Sequence, residues 1–264
     1  MTSTNTSISV ATVFGALLRR DLRVARRELP YFLLRTIMQP LLFIIVFGAL
    51  LPKMGFVRGG YTTTLVPGIL ALSLTLAAVQ SVTLPMVQDF GWTKEIEDRL
   101  LAPIPTPYIA AEKIVMGVTQ GLVAALAVLP LARLIMGPIP GFTLVHFGAV
   151  LAVTILGATA FSALGLLIGS TISPTQIGLM FSVFIAPMIF FGCTYYPWRG
   201  LDVVPVAKYA VLINPLVYVS EGMRGALTPE VPHMPLWVVL LALAILVVIF
   251  WSLAVRAFLK RAVG

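Results

Sequence analysis

Residues 134–198 read LIMGPIPGFTLVHFGAVLAVTILGATAFSALGLLIGSTISPTQIGLMFSVFIAPMIFFGCTYYPW, without a single Asp, Glu, Lys or Arg. A membrane crossing takes roughly 20 apolar residues to cover about 30 Å of hydrocarbon. The stretch is therefore too long for one crossing. It opens on the turn signal Gly137-Pro138-Ile139-Pro140-Gly141 and breaks at the polar, turn-rich Gly169-Ser170-Thr171-Ile172-Ser173-Pro174-Thr175. It reads as two spans, about 143–168 and 176–194. Outward from it, residues 36–52, 59–88, 114–132 and 231–255 are also free of charge. The spacing predicts six spans in all: about 31–51, 62–88, 113–136, 143–168, 176–194 and 235–257. A porin-type barrel is excluded, because its strands run about 10 residues with alternating polarity.

Composition agrees. The chain has 264 residues, 59 % hydrophobic and 11 % charged, with a mean hydropathy of +1.01. A soluble domain carries about 25 % charged residues, so an ordinary soluble enzyme, a disordered chain and a DNA-binding domain are excluded. The net charge of +8 is then a topology signal rather than a nucleic-acid footprint. With the N-terminus inside, the cytoplasmic segments hold Arg19, Arg20, Arg23, Arg26, Arg27, Arg35, Lys94, Arg99, Lys113, Arg256, Lys260 and Arg261, which is 12 of the 18 basic residues. Six spans place both termini in the cytoplasm. The first 30 residues lack the early apolar core of a cleaved leader. The single cysteine, Cys193, excludes an intrachain disulfide and a cysteine-based zinc cage.

Three segments are expected not to span. Residues 12–29, TVFGALLRRDLRVARREL, place Val13, Leu17, Leu18, Leu22, Val24, Ala25 and Leu29 at near-helical spacing among five arginines. This suits an amphipathic helix lying in the membrane interface, or a basic topology signal that happens to be helical. The chain thus divides into a cytoplasmic tail with an interfacial helix, 1–30, and a six-span domain, 31–264. Residues 91–113, GWTKEIEDRLLAPIPTPYIAAEK, form the one sizeable charged loop between spans. Trp92, Ile96, Arg99 and Leu100 are expected on one helical face, and Pro103, Pro105 and Pro107 stop the helix. A short helix at about 92–102 with a rigid exit suits docking into a groove of another protein; the alternative is a solvated loop. Residues 193–235 are too apolar for a free loop and too broken by Pro197, Pro205, Pro215, Pro229, Pro232 and Pro235 for a full span. Short helices that dip into the outer leaflet and pack on protein fit both facts. Tyr195, Tyr196, Trp198, Tyr209 and Tyr218 suit an interfacial belt.

Catalytic signatures are missing. There is no GxxxxGK[ST], HExxH or GxSxG sequence. His146 and His233 are isolated. No acidic residue falls mid-span; Asp89 and Glu112 sit near cytoplasmic span ends. Carriers driven by an ion gradient keep ionisable groups in the membrane core, so a secondary carrier is the weaker alternative. Gly117/Gly121 and Gly165/Gly169 permit close helix contact, by default within one protomer. Gln39, Gln80, Gln88, Gln120 and Gln176 line a path or bond between helices.

Six spans, a basic amphipathic N-terminal helix, an inner loop after span two and a re-entrant segment before the last span resemble the permease subunits of type-two ABC exporters. Two motifs carry the likeness. Glu97-Asp98-Arg99-Leu100-Leu101-Ala102-Pro103-Ile104-Pro105 looks like the family's coupling helix, an acidic residue followed by Leu-Leu-Ala and proline. Many members have Gly-Thr where this chain has Asp98-Arg99. Leu212-Ile213-Asn214-Pro215-Leu216-Val217-Tyr218, followed by Glu221 and Arg224, resembles the family's Asn-Pro stretch in the outer segment. The resemblance implies an all-α integral membrane fold with no cofactor in this chain. It implies a second permease protomer, identical or related. Two copies of an ABC ATPase that binds ATP and Mg would dock on Trp92, Ile96, Glu97, Arg99, Leu100 and Leu101. The acidic residues at 89–98 and at 112 mark the expected docking region. The implied activity is export of a hydrophobic or amphipathic compound, a drug or lipid, from the cytoplasm or inner leaflet across the plasma or inner membrane. A polysaccharide or glycolipid is the alternative cargo. Membrane lipid is the other partner, and nucleic acid is none.

Overall fold

A computed structural model describes residues 9–56, 60–138 and 145–263 of the chain. Every regular element among these residues is helical. Helix α1, Val10–Arg27, ends at Glu28, where the backbone bends (φ −92°, ψ 1°) into α2, Leu29–Lys53. Pro40 removes one backbone donor from α2, and a wide π-turn over Ile44–Leu50 follows it. The long helices α3, Tyr61–Gly91, and α5, Thr106–Met136, flank the short α4, Glu95–Leu100. Helix α6 is Phe147–Thr171, and α7 is Pro174–Phe190. After it come α8, Pro205–Ala210, α9, Pro215–Leu227, and α10, Leu236–Val263.

Helices α2, α3, α5, α6 and α10 are each long and apolar enough to cross a membrane. The predicted fifth span differs. It is the 17-residue α7, about 26 Å at 1.5 Å per residue, and it opens with a 3₁₀ turn and carries a π-turn over Phe181–Ile185. With the residues that follow it, up to Thr194, it nevertheless runs beside α3 from Gly91 to Gly68. Its first residue, Pro174, packs on Gly91 at one end of α3, and Thr194 just beyond it packs on Gly68 near the other end. There Tyr61 also donates to the Tyr195 carbonyl at 2.7 Å.

Helix α3 is the hub, buried at every position from Leu65 to Val79. Small residues let its neighbours close on it. A Cβ at Gly121 would lie 2.8 Å from the Leu74 carbonyl oxygen, and one at Gly165 would lie 2.6 Å from that of Val79. Thr83 of α3 donates to the Gly165 carbonyl at 3.0 Å. Both predicted small-residue pairs therefore pack inside one protomer, against α3. Gly165→Val is expected to cost at least the roughly 1–3 kcal/mol of an overpacked core, read as a lower unfolding temperature in detergent. Gly148→Val, with open space around it, should leave that temperature unchanged and serves as the control.

The two ends of the described chain gather at one side of the bundle. Phe258 of α10 packs edge-on against Phe90, and Arg261 lies over the Phe90 ring and donates to the Ile172 carbonyl at 2.8 Å. Helix α1 reaches the same side through Asp21, described next. The turn at 139–144 that opens the central apolar stretch lies outside the described residues, as does Arg58.

Candidate functional site

Gly91 ends α3, and the Trp92 and Thr93 amides both donate to the Gln88 carbonyl, at 2.8 and 3.0 Å. Lys94 then takes a left-handed conformation, φ 53°, which turns the chain into α4. The helix covers only Glu95–Leu100, shorter than the expected 92–102, so Trp92 precedes it and does not share its face. Pro103, Pro105 and Pro107 then lead into α5.

The face predicted for docking is split by the fold. Ile96 is buried in a cluster with Met86, Ile109, Ile114 and Phe258, and Leu100 and Ile104 pack against it. Arg99 is also buried, 7 % exposed. Its guanidinium grips Asp21 of α1 with two bonds, Nη1 to Oδ2 and Nη2 to Oδ1, both 3.1 Å. Lys113, at the start of α5, donates to the same Asp21 Oδ2 at 3.0 Å. The Glu112 carboxylate stands 3.8 Å from Arg99 and 3.9 Å from Lys113. Glu112 is fully buried, and neither of its oxygens has a hydrogen-bond partner among the described residues. Asp89 is buried beside the cluster, where it feels the charges of Lys113 and Arg99. Asp89 and Glu112 are thus not a docking surface, as their place in the sequence suggested. They belong to an internal network that ties α1, α4 and α5 together.

Burial pushes the Asp21 carboxyl up, but the Lys113 charge and the Arg99 hydrogen bonds and charge outweigh it and hold the group at about 2. Asp21 therefore stays ionised throughout the physiological range. A paired, forked Arg–carboxylate contact of this kind fixes orientation as well as distance.

What remains exposed is a different set. Trp92 is 66 % exposed and Leu101 82 %, and Lys94, Glu95 and Asp98, between them in the sequence, are exposed as well. The two apolar residues flank α4, whose Arg99 is held by the ion-pair network. The Glu97 side chain lies outside what is described.

A family model for the ABC-2 type transporter matches residues 12–228, from the N-terminal helix to the end of α9. The chain belongs to the ABC-2 type transporter family. It is 29 % identical over 232 residues to the inner membrane transport permease YadH of Escherichia coli strain K12, covering 81 % of this chain and 84 % of that one. The permease YadH of Shigella flexneri matches to the same extent. No solved structure matches the chain. The chain is an ABC-2 family permease, and membership implies an ABC ATPase partner.

In this ABC-2 permease the second motif forms the core of the opposite side. Asn214 caps α9, accepting from the Leu216 amide at 3.0 Å and donating to the Met188 carbonyl at 2.7 Å. Pro215 occupies the first turn of the helix, where its missing N–H costs nothing. Tyr218 donates to the Leu212 carbonyl at 2.9 Å. Glu221 and Arg224 are both fully buried and paired. Glu221 also accepts from the amides of Trp198 and Met234, each at 2.8 Å, and Arg224 donates to the Cys193 carbonyl at 2.9 Å. Of the five aromatics expected at the interface, only Tyr209 is exposed. Tyr195 packs on Phe43 and Phe47, with ring centroids 4.9 and 5.3 Å apart.

Asp21 went unnoticed in the sequence as a functional residue. The available signal was a lone carboxylate among five arginines on an amphipathic helix.

Proposed function

We propose that this chain is the membrane half of an ATP-driven exporter. Two protomers would form the path, and two copies of a separate ABC ATPase would dock on the loop at 92–102 from the cytoplasm. ATP and Mg would be bound by that partner. The observation that carries this reading is the exposure of Trp92 and Leu101 on either side of α4, whose Arg99 is held by Asp21 together with Lys113. Motion of a docked ATPase would push α4. The buried network would transmit the push at once to α1 and to the start of α5, because a forked ion pair resists rotation. The basic N-terminal helix and the basic end of α10 lie on the same side of the bundle as α4, which supports cytoplasmic termini by the positive-inside rule. Residues 1–30 then form the cytoplasmic tail and interfacial helix. The printed name of the Escherichia coli relative supports placement in the inner membrane.

The proposed cargo is hydrophobic or amphipathic, a drug or a lipid. Its support is a cavity of 460 Å³ between α7, α8 and the start of α9, lined by Phe184, Pro187, Phe191 and Val211. An ATP-dependent release of a hydrophobic dye from proteoliposomes holding both subunits tests that part.

Leu101→Asp places a charge in the centre of the proposed docking patch. The loss expected is that of a hot-spot residue, about 2 kcal/mol or roughly 30-fold in ATPase affinity. Co-purification of the ATPase with the permease measures it. Trp92→Ala should act in the same direction. Leu100 is half-buried behind them, so a charge there would disturb packing first. Unchanged ATPase assembly and transport in Leu101→Asp and Trp92→Ala would remove the docking assignment.

A further inference from the structure

At the elbow between α1 and α2 the structure holds a cavity of 490 Å³, walled by α1, α2, α3 and α5. It lies on the side of the bundle that carries α4 and the Asp21 cluster. Its lining is divided by chemistry. Arg26 of α1 and Arg35 of α2 stand with Glu28 at the elbow, which leaves one net positive charge. None of the three takes part in an ion pair among the described residues, whereas the neighbouring Asp21 is bonded to both Arg99 and Lys113.

Ser81 and Gln88 of α3 and Thr119 and Gln120 of α5 form a polar wall. Ser81 and Thr119 donate to carbonyls of their own helices, at 3.0 and 2.9 Å, which leaves their oxygens free to accept. Gln88 and Gln120 carry amides with no hydrogen bond to another described residue. Gln120 stands half-buried in the middle of α5, where an unpaired amide costs free energy unless a polar partner reaches it, and Gln88 is exposed near the end of α3. The rest of the lining is apolar, with Leu29, Phe32 and Val123.

We propose that this cavity binds the headgroup of an anionic phospholipid. The two arginines would take the phosphate, the amides and hydroxyls the polar headgroup groups, and the apolar wall the first acyl carbons. A zwitterionic lipid brings a phosphate but also a cationic group beside Arg26 and Arg35, and a soluble anion leaves the apolar wall bare. The wider field points the same way. Helix α1 carries Arg19, Arg20, Arg23, Arg26 and Arg27 against one half-buried aspartate, Asp21, and each basic residue near an anionic surface adds to its attraction. The site stands independently of the ATPase docking proposed above, since no residue of the Trp92–Leu101 patch lines it.

The test is native mass spectrometry of the full-length chain released from nanodiscs of mixed phosphatidylcholine and phosphatidylglycerol. Retained phosphatidylglycerol is expected in excess of phosphatidylcholine by roughly fivefold, the order set by one net positive charge at a membrane surface. Arg26→Gln with Arg35→Gln should bring the ratio near parity. Thr119→Phe fills the cavity and leaves every charge in place, so it should lower the ratio as well; Gln120→Leu is the milder second variant, and unfolding temperature checks that each is folded. Free glycerol 3-phosphate should not displace the lipid. No enrichment in the unaltered chain, or enrichment untouched by filling the cavity, would overturn the site. Displacement by glycerol 3-phosphate would overturn the lipid and leave a phosphate site. When the ATPase turns over, lipid that stays bound is a resident, and lipid that moves to the opposite leaflet is cargo; both outcomes support the cavity as the site.

Discussion

Asp21→Asn is expected to release helix α1 from the bundle. The substitution leaves the Arg99 guanidinium and the Lys113 ammonium buried, with the Glu112 carboxyl near 4 Å as the remaining close acidic group. Removing one partner of a buried pair costs about 3–5 kcal/mol, because the other charge stays desolvated without compensation. The loss should be local. Hydrogen exchange of residues 10–27 should rise strongly while the amides of α3 stay protected. Exchange at α1 equal to that of the unaltered chain would show that apolar packing alone holds the helix. If the network also transmits motion from α4, ATPase stimulation by cargo falls in the same variant while ATPase co-purification does not, since Trp92 and Leu101 are untouched.

The pH dependence follows from the same group. Asp21 is held at about 2, below its ordinary 3.8. A carboxylate with a depressed folded value adds stability above its unfolded value and loses it as pH falls through the folded one. The contribution of Asp21 to the attachment of α1 should therefore hold from neutral pH down to the unfolded value and weaken between about 4 and 2. Weakening that begins near neutrality would point to another group.

Glu221→Gln carries the second large effect. Arg224 is the largest fully buried side chain among the described residues, and Glu221 is its counter-charge. The amide still accepts one backbone bond, but the guanidinium loses its charge partner, again at about 3–5 kcal/mol. The expected readout is a lower unfolding temperature together with faster proteolysis within 195–235, because Glu221 also holds Trp198 and Met234. The paired replacement Glu221→Leu with Arg224→Met should recover much of the loss, as apolar substitutes for a buried pair often do. An equal deficit in the double variant would mean that the bonds to Trp198, Met234 and Cys193 matter more than the charge.

The two predictions concern residues that the sequence ranked differently. Glu221 and Arg224 were legible as a pair, three residues apart on one helix, though as part of a family motif rather than as a buried brace. Asp21 was not legible, because its partners stand 78 and 92 positions away. The short helix after α3 is present, over Glu95–Leu100 rather than 92–102. Its faces were misjudged at Trp92, since a left-handed Lys94 breaks the helical spacing that joined Trp92 to Ile96. Leu101 and Trp92 remain outward while Ile96 and Arg99 turn in.

By itself the sequence determined the membrane fold, the long spans, the breaks between them and the side on which charge collects. These depend on local runs of apolar residues, on proline and on glycine, whose effects are set within a few positions by the thickness of the hydrocarbon and the loss of backbone donors. Only the tertiary structure decided which charges are buried, that residues 174–194 run beside α3 from Gly91 to Gly68, and that a cavity opens beside Arg26 and Arg35. Those depend on which distant helices meet at α3, and a pairing energy between residues far apart in the chain leaves no period in the sequence.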